Sequence, residues 1–355
     1  MIVIMQSGAD QATIDHVIER IGQLGLTPHV SRGQFRTIIG AIGDEAADAF
    51  LPQLLSMPGV ENVVPIMKPY KLASREFHPE ASTFRIGPVT IGGKGCVAIA
   101  GPCAIENDQT VFTVGRSVKA AGATMLRGGA FKPRTSPYSF QGLGEEGLKI
   151  LRAAGDELSM PVVSEVMDPR QVPVAVKYVD VLQIGARNMQ NFNLLMEVGQ
   201  TTRPVLLKRG PSASVREWLM SAEYILAQGN KQVILCERGI KTFETSVRYT
   251  FDVSSIAVLK RESHLPVLVD PSHAAGERDL VVSLALAGIA AGADGLIVEV
   301  HDCPEKALCD GPQALTPPMF QEMMRQCQAI ASVVGRSWEK PGEKTSAGTS
   351  AWGGG

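Results

Sequence analysis

The chain begins with short apolar runs alternating with amphipathic stretches. IVIMQ (2–6) predicts a strand, Gln11 to Leu24 a helix, LTPHV (26–30) and FRTIIGAIG (35–43) two strands, Glu45 to Leu55 a helix, and VENVVPI (60–66) a strand. Strand, helix, two strands, helix, strand is the split βαβ order, so residues 1–66 are expected to form a small ferredoxin-like α+β domain. Residues 67–94 are richer in Pro, Ser and Gly and predict a linker or hairpin. From Gly95 the pattern changes to eight continuous apolar runs separated by helical stretches: CVAIA, TMLRG, MPVVSEV, VDVLQIG, RPVLLKRG, QVILCERG, LPVLVD and DGLIVEV. Runs without alternation indicate parallel strands buried on both faces. Eight such units over residues 95–335 predict an α/β architecture, a (β/α)8 TIM barrel. An open Rossmann-like sheet is the rival, but no G-x-G-x-x-G follows the first strand. Trp218, Leu219, Tyr224, Ile225 and Leu226 recur at helical spacing and are expected to pack on the barrel. Residues 336–355, rich in Gly, Ser and Lys, are expected to be a flexible tail.

Composition changes this picture little. At 355 residues and 45% hydrophobic the chain can build one large and one small core. A formal net charge of -2 supplies no general field for nucleic acid or anionic membranes, so any anion site must be built locally. The amino terminus lacks a basic region followed by an apolar one, and no apolar run approaches the roughly 18 residues a membrane span needs. A cytoplasmic location is expected. Six scattered cysteines are expected to be thiols rather than a disulfide framework.

Candidate chemistry gathers at the strand ends, where a barrel carries its active site. Cys103, Arg127, Glu165, Arg187, Lys208, Glu237, Arg238, Asp270, His273 and Glu299 all follow or end an apolar run. Singly, each reads equally well as a satisfied loop residue; the shared placement is what points to a site. Arg127, Lys132, Arg134, Arg187, Lys208 and Arg238 form a cationic set that Glu165, Glu237 and Glu299 are too few to neutralise. Such a set implies a ligand with several negative charges, most simply phosphorylated substrates in two phosphate subsites. Cys103, His273, Glu299 and Asp310, with His301, Asp302, Cys303 and Cys309 nearby, have metal-ligand character suited to Mn2+, Fe2+, Co2+ or Zn2+. No C-x-x-C or H-E-x-x-H spacing supports a metal, and Cys303 with Cys309 could instead form a disulfide. His16, His29, His78 and His264 receive no role.

GPCAIE (101–106), RGGAFKPRTSPYSFQGLG (127–144), SEVMD (164–168), IGARNMQNF (184–192), LLKRG (206–210), CERGI (236–240), VDPSHAAG (269–276) and VEVHDCPEKALCDGPQAL (298–315) occur in this order. Together they resemble the type I 3-deoxy-D-arabino-heptulosonate 7-phosphate (DAHP) synthases, in the subgroup with an amino-terminal ferredoxin-like, ACT-like regulatory domain. The resemblance implies metal-dependent condensation of phosphoenolpyruvate with erythrose 4-phosphate, the first step of the shikimate pathway. It implies one divalent ion held by Cys103, His273, Glu299 and Asp310. Phosphoenolpyruvate would be bound by Arg127, Lys132, Arg187, Lys208 and Arg238 with Glu165 beside them, and the sugar phosphate by Arg134 and Thr135. Lys132 is expected to deliver a proton to the aldehyde oxygen, its pKa lowered by neighbouring cations, with Glu165 or a water near His273 as the base. Sister enzymes that use arabinose 5-phosphate resemble K-A-N-R-S where this chain has Lys132, Pro133, Arg134 and Thr135, so erythrose 4-phosphate is the expected acceptor. A Schiff-base aldolase with Lys208 as nucleophile and a non-catalytic metabolite sensor are the other readings. The small domain implies feedback by an aromatic amino acid or later pathway product, through closure over the barrel mouth or a shift in oligomer packing. A homo-oligomer, dimer or tetramer, and association with a chorismate mutase are expected; nucleic-acid and membrane partners are not.

Overall fold

The structure is a computed structural model that describes residues 1–33, 36–43, 50–64, 69–134 and 136–339. At the amino terminus lie β1 (Ile2–Met5), α1 (Gln11–Gln23), β2 (Thr27–Arg32), β3 (Thr37–Ile42), α2 (Leu51–Leu55) and β4 (Val60–Val64). The sheet order β2-β3-β1-β4, with β1 antiparallel to both neighbours, is the ferredoxin-like arrangement. Asp10 caps α1 by accepting from the Thr13 amide at 2.8 Å, and Ile14, Val17 and Ile21 put one apolar face against the sheet. The first part of the expected helix from Glu45 lies outside the described residues.

Two short strands, β5 (Phe84–Ile86) and β6 (Val89–Ile91), form a hairpin. The barrel follows as β7 (Gly95–Gly101), β8 (Met125–Arg127), β9 (Val162–Val166), β10 (Val181–Ile184), β11 (Val205–Lys208), β12 (Val233–Glu237), β13 (Val267–Val269) and β14 (Gly295–Glu299). All are parallel in sequential order, and β14 pairs with β7 to close the ring. The barrel's α3 (Asp108–Ala120), α4 (Glu145–Leu158), α5 (Val172–Ala175), α6 (Phe192–Gly199), α7 (Val215–Ala227), α8 (Val253–Glu262), α9 (Pro271–Ala275), α10 (Arg278–Ala290) and α11 (Pro317–Val333) follow the strands. Every residue of β7 to β14 is buried, which is why the runs are continuous rather than alternating. Outward residues such as Leu182, Leu207 and Val269 pack on the helices. The inward set Val97, Ile99, Met125, Val163, Val181, Leu206, Ile234, Cys236, Leu268 and Ile297 packs on Ile86, Val89 and Ile91 of the hairpin. The hairpin therefore stoppers the amino-terminal end of the barrel.

Residues 70–82, expected as linker, form a strap fastened to the barrel. Glu223 on α7 accepts from the amides of Lys71, Leu72 and Ala73 at 2.8 to 2.9 Å. His264 donates from Nε2 to the Leu72 carbonyl at 2.7 Å, so Nδ1 accepts from the Ser82 hydroxyl at 2.7 Å. Phe77 and Tyr70 of the strap share a core with Ile2 of the small domain. Because helices return each barrel chain to the amino-terminal ends of the strands, the end of α8 and the later half of α7 place strap and small domain opposite the barrel mouth.

The expected tail begins too early at 336. Arg336 is bonded to Asp294 at 2.8 Å and to the carbonyls of Gly292, Gly93 and Gly95, and β15 (Ser337–Trp338) pairs with the start of β7. Residues 340–355 lie outside the described residues. Among the described residues no helix is long and apolar enough to cross a membrane.

Candidate functional site

Strand periodicity selects the residues that enter the mouth. Two positions beyond the inward Ile99, Met125, Val163, Val181, Leu206, Cys236, Leu268 and Ile297 stand Gly101, Arg127, Glu165, Gln183, Lys208, Arg238, Asp270 and Glu299. Each strand ends in one inward residue, and seven of these eight are polar. The eighth, Gly101, has φ of 154°, and a Cβ there would meet the Arg127 carbonyl oxygen at 2.1 Å. Glu237 is offset by one and points outward, where Arg209 pairs with it at 3.4 Å. It does not enter the site.

Above this ring is a cavity of about 560 Å³. Of the expected cations Lys132, Arg134, Arg187, Lys208 and Arg238 line it, joined by Lys241 and Arg248, which sequence reasoning missed. Facing these seven cations are two lining carboxylates, Glu165 and Asp310. Arg238 is buried, its guanidinium lies 4.1 Å from the Tyr249 ring centroid, and its Nη1 has no hydrogen-bond partner among the described residues. A buried guanidinium nitrogen without an acceptor is a place for an anion. Lys241, Arg248 and Tyr249 all sit in the segment after β12, so the strand-end rule applied to that whole segment would have found them. Thr135 lies outside the described residues.

Arg127 is placed differently from the expectation of a cavity cation. It is 4% exposed, bonds Glu299 at 2.7 Å and the Cys103 carbonyl at 3.2 Å, and does not line the cavity. Lys132 Nζ lies 3.0 Å from Cys103 Sγ and 3.1 Å from its carbonyl. Its expected lowered pKa is overturned. Burial pulls it down, but the Cys103 and Cys309 sulfurs, with Glu165, outweigh burial and Arg127 and hold it above the ordinary lysine value.

The four expected metal ligands fall into two groups that meet at Asp310: Cys103, Cys309 and Asp310 in one, and His273, Glu299 and Asp310 in the other. Cys103 Sγ is 3.2 Å from Asp310 Oδ2, and His273 Nε2 is 3.5 Å from Glu299 Oε1 and 4.0 Å from Asp310 Oδ2. Burial would raise the Glu299 carboxyl, but the Arg127 guanidinium bonded to it holds it well below the usual range. His273 Nδ1 lies 2.8 Å from Asp270, which also pairs with Lys208, while burial lowers the imidazole pKa. A neutral ring whose Nδ1 faces a carboxylate leaves the Nε2 lone pair for a metal. A thiol, an imidazole nitrogen and two carboxylates fit one divalent ion. Gln313, which also escaped sequence reasoning, donates to Glu299 at 2.7 Å and accepts from Arg248 at 2.8 Å.

All six cysteines are free. The alternative of a Cys303–Cys309 disulfide is corrected: Cys309 Sγ lies 3.2 Å from Cys103 Sγ and meets Arg134, whereas Cys303 faces Glu305 at 3.8 Å.

Comparison with known proteins agrees with this geometry. A family model described as DAHP synthetase I family matches residues 76–334, and one described as DAHP synthase ferredoxin-like domain matches residues 1–68. The phospho-2-dehydro-3-deoxyheptonate aldolase of Thermotoga maritima is 48% identical over 94% of this chain and 99% of its own. The crystal structure of the Thermotoga maritima enzyme superposes with a TM-score of 0.76 at 46% identity, covering 95% of this chain and 98% of that one. A 2-dehydro-3-deoxyphosphooctonate aldolase of Geobacter sulfurreducens is 34% identical over 70% of this chain and 97% of its own. The barrel, the ferredoxin-like domain and the near full-length match together make this chain a member of the DAHP synthetase I family and an enzyme of that class.

Proposed function

We propose that the chain condenses phosphoenolpyruvate with erythrose 4-phosphate and water to give DAHP and inorganic phosphate. The observation that carries this is the mouth of seven cations against two carboxylates, beside two groups of potential ligands, Cys103 with Cys309 and His273 with Glu299, that share Asp310. Phosphoenolpyruvate, with a phosphate and a carboxylate, matches Lys132, Lys208, Arg187 and the unpartnered Nη1 of Arg238. Arg134, nearer the rim, takes the sugar phosphate, with Thr135 assigned beside it by the family motif.

Cys103, His273, Glu299 and Asp310 would hold a divalent ion, which when bound supplies Lewis-acid polarisation of the aldehyde oxygen. The cations hold both substrates so that C3 of phosphoenolpyruvate faces the aldehyde carbon. As that carbon–carbon bond forms, Lys132, held protonated by its sulfur neighbours, gives a proton to the oxygen that becomes the new hydroxyl. Water adds at C2 and loses its proton to Glu165, which Gln183 orients at 3.1 Å. The resulting hemiketal phosphate breaks the bond from C2 to the phosphate oxygen as its C2 hydroxyl becomes the ketone oxygen, the hydroxyl proton leaves with the phosphate, and inorganic phosphate is released into the remaining cations. Lys208 is engaged by Asp270, which argues against a Schiff-base route. Feedback through residues 1–66 belongs to the same proposal, and the small domain's position opposite the mouth favours transmission through the strap or between subunits over closure of its own barrel.

The test is phosphate release from phosphoenolpyruvate with erythrose 4-phosphate or arabinose 5-phosphate, with and without EDTA. Release with the four-carbon sugar that stops on chelation is expected. Preference for arabinose 5-phosphate, or full turnover after chelation, would refute the reading.

A further inference from the structure

The candidate metal ligands come from both sides of the seam that closes the barrel. Cys103 follows β7, the first barrel strand; Asp310 follows β14, the last. The segment between β14 and Asp310 contains no strand, and Leu308, next to Cys309, is 52% exposed. Apolar packing of that side chain therefore does not hold the turn. Asp310 itself has φ of 51°, a left-handed conformation uncommon outside glycine, although aspartate adopts it more readily than most residues.

Besides the contacts of Cys103 with Cys309 and Asp310, Glu106, three residues after Cys103, also reaches across the seam. Its Oε1 accepts from the Leu308 amide at 2.7 Å. Its Oε2 lies 3.7 Å from His301 Nε2, and both side chains are nearly buried. His301 Nδ1 accepts from the Cys303 amide at 3.0 Å, so the ring proton is on Nε2 and faces the carboxylate. Among the described residues, the other hydrogen bonds of residues 302–308 stay within the turn and its His301 stem or go to Arg278.

We propose that Glu106 is a positioning residue for the metal site. By tying the Leu308 turn to the Cys103 strand end it sets the separation of Cys103 from Asp310, although it touches neither substrate nor ion. This rests on the metal reading above, and the controls separate the two. The full-length protein, Glu106→Ala, Glu106→Gln and Cys103→Ala are titrated with Co2+ by calorimetry, following the thiolate-to-Co2+ charge-transfer band and the urea midpoint of each apo-protein. Loss of a group that orients a ligand lowers metal affinity by about 10- to 100-fold. That loss, with a weakened band, is expected for Glu106→Ala at an unchanged urea midpoint. Glu106→Gln, whose amide oxygen still accepts from Leu308, is expected to stay within a few-fold of wild type. Wild-type affinity and band in Glu106→Ala, with binding lost in Cys103→Ala, overturn the positioning role and leave the metal assignment standing. Undiminished binding by Cys103→Ala overturns both. If Glu106→Ala fails to fold, Glu106→Asp, with its carboxylate one methylene shorter, decides: weakened Co2+ binding at an unchanged midpoint supports the role, and unchanged binding overturns it.

Discussion

The position of the Glu165 carboxylate depends on a neighbour with no side chain. A Cβ on Gly185 would stand 2.0 Å from Glu165 Oε1, so the carboxylate occupies space that any other residue would fill. Gly185→Ala should displace Glu165 and reproduce most of the loss in kcat of Glu165→Gln, about 100-fold for a misplaced general base. Steady-state phosphate release checks this, and a kcat within a few-fold of wild type for Gly185→Ala would remove Glu165 from the mechanism. Residue types and order pointed to five of the seven lining cations, because strand-end placement is visible in one dimension, whereas the set Cys103, His273, Glu299 and Asp310 rested on the family resemblance. The environment of Lys132 is not visible in one dimension: its neighbour in sequence is Arg134, but what raises its pKa against the lowering effect of burial is sulfur from Cys103 and Cys309, brought in from other strands. Gln313 carried no signal either, since an amide three residues beyond Asp310 becomes meaningful only once Glu299 and Arg248 flank it.

At the scale of elements, the eight apolar runs were legible because a doubly buried strand leaves no polar face to break the pattern. The strap was not legible, because its anchors are remote in sequence: Glu223 lies 152 residues from Lys71, and His264 lies 192 residues from Leu72. Its composition reads as a linker, while its hydrogen bonds make it part of the barrel. Burial is the main cause lowering His264 to about 4, from 6.5. The unfolded chain therefore takes up a proton that the folded one refuses, so the contribution is fully present above pH 6.5 and is lost as pH falls toward 4. The difference amounts to about 3 kcal/mol. Urea midpoints measured from pH 7 to 4 should fall more steeply for wild type than for His264→Gln. Glu223, whose carboxyl burial raises, titrates in both proteins and cancels. Parallel curves would show that His264 does not govern the strap.

At the scale of the molecule, mouth and small domain occupy opposite ends of the barrel, and between them sits the stopper of Ile86, Val89 and Ile91. A chamber closed at one end has a single doorway, through which both substrates enter and both products leave. Lys208 and Glu165 are buried at its floor, whereas Arg134, assigned to the sugar phosphate, is half-buried toward the rim. A ligand held at the floor has to arrive before one held at the rim. Isotope trapping should accordingly carry enzyme-bound labelled phosphoenolpyruvate into product during a chase with unlabelled substrate, whereas prebound labelled erythrose 4-phosphate should exchange away; the reverse result would contradict the assignment of floor and rim. The hairpin never touches the chemistry, yet it caps a barrel interior already filled by Ile99, Met125, Leu206 and Ile297, and a mouth with no way through turns the reaction into a queue.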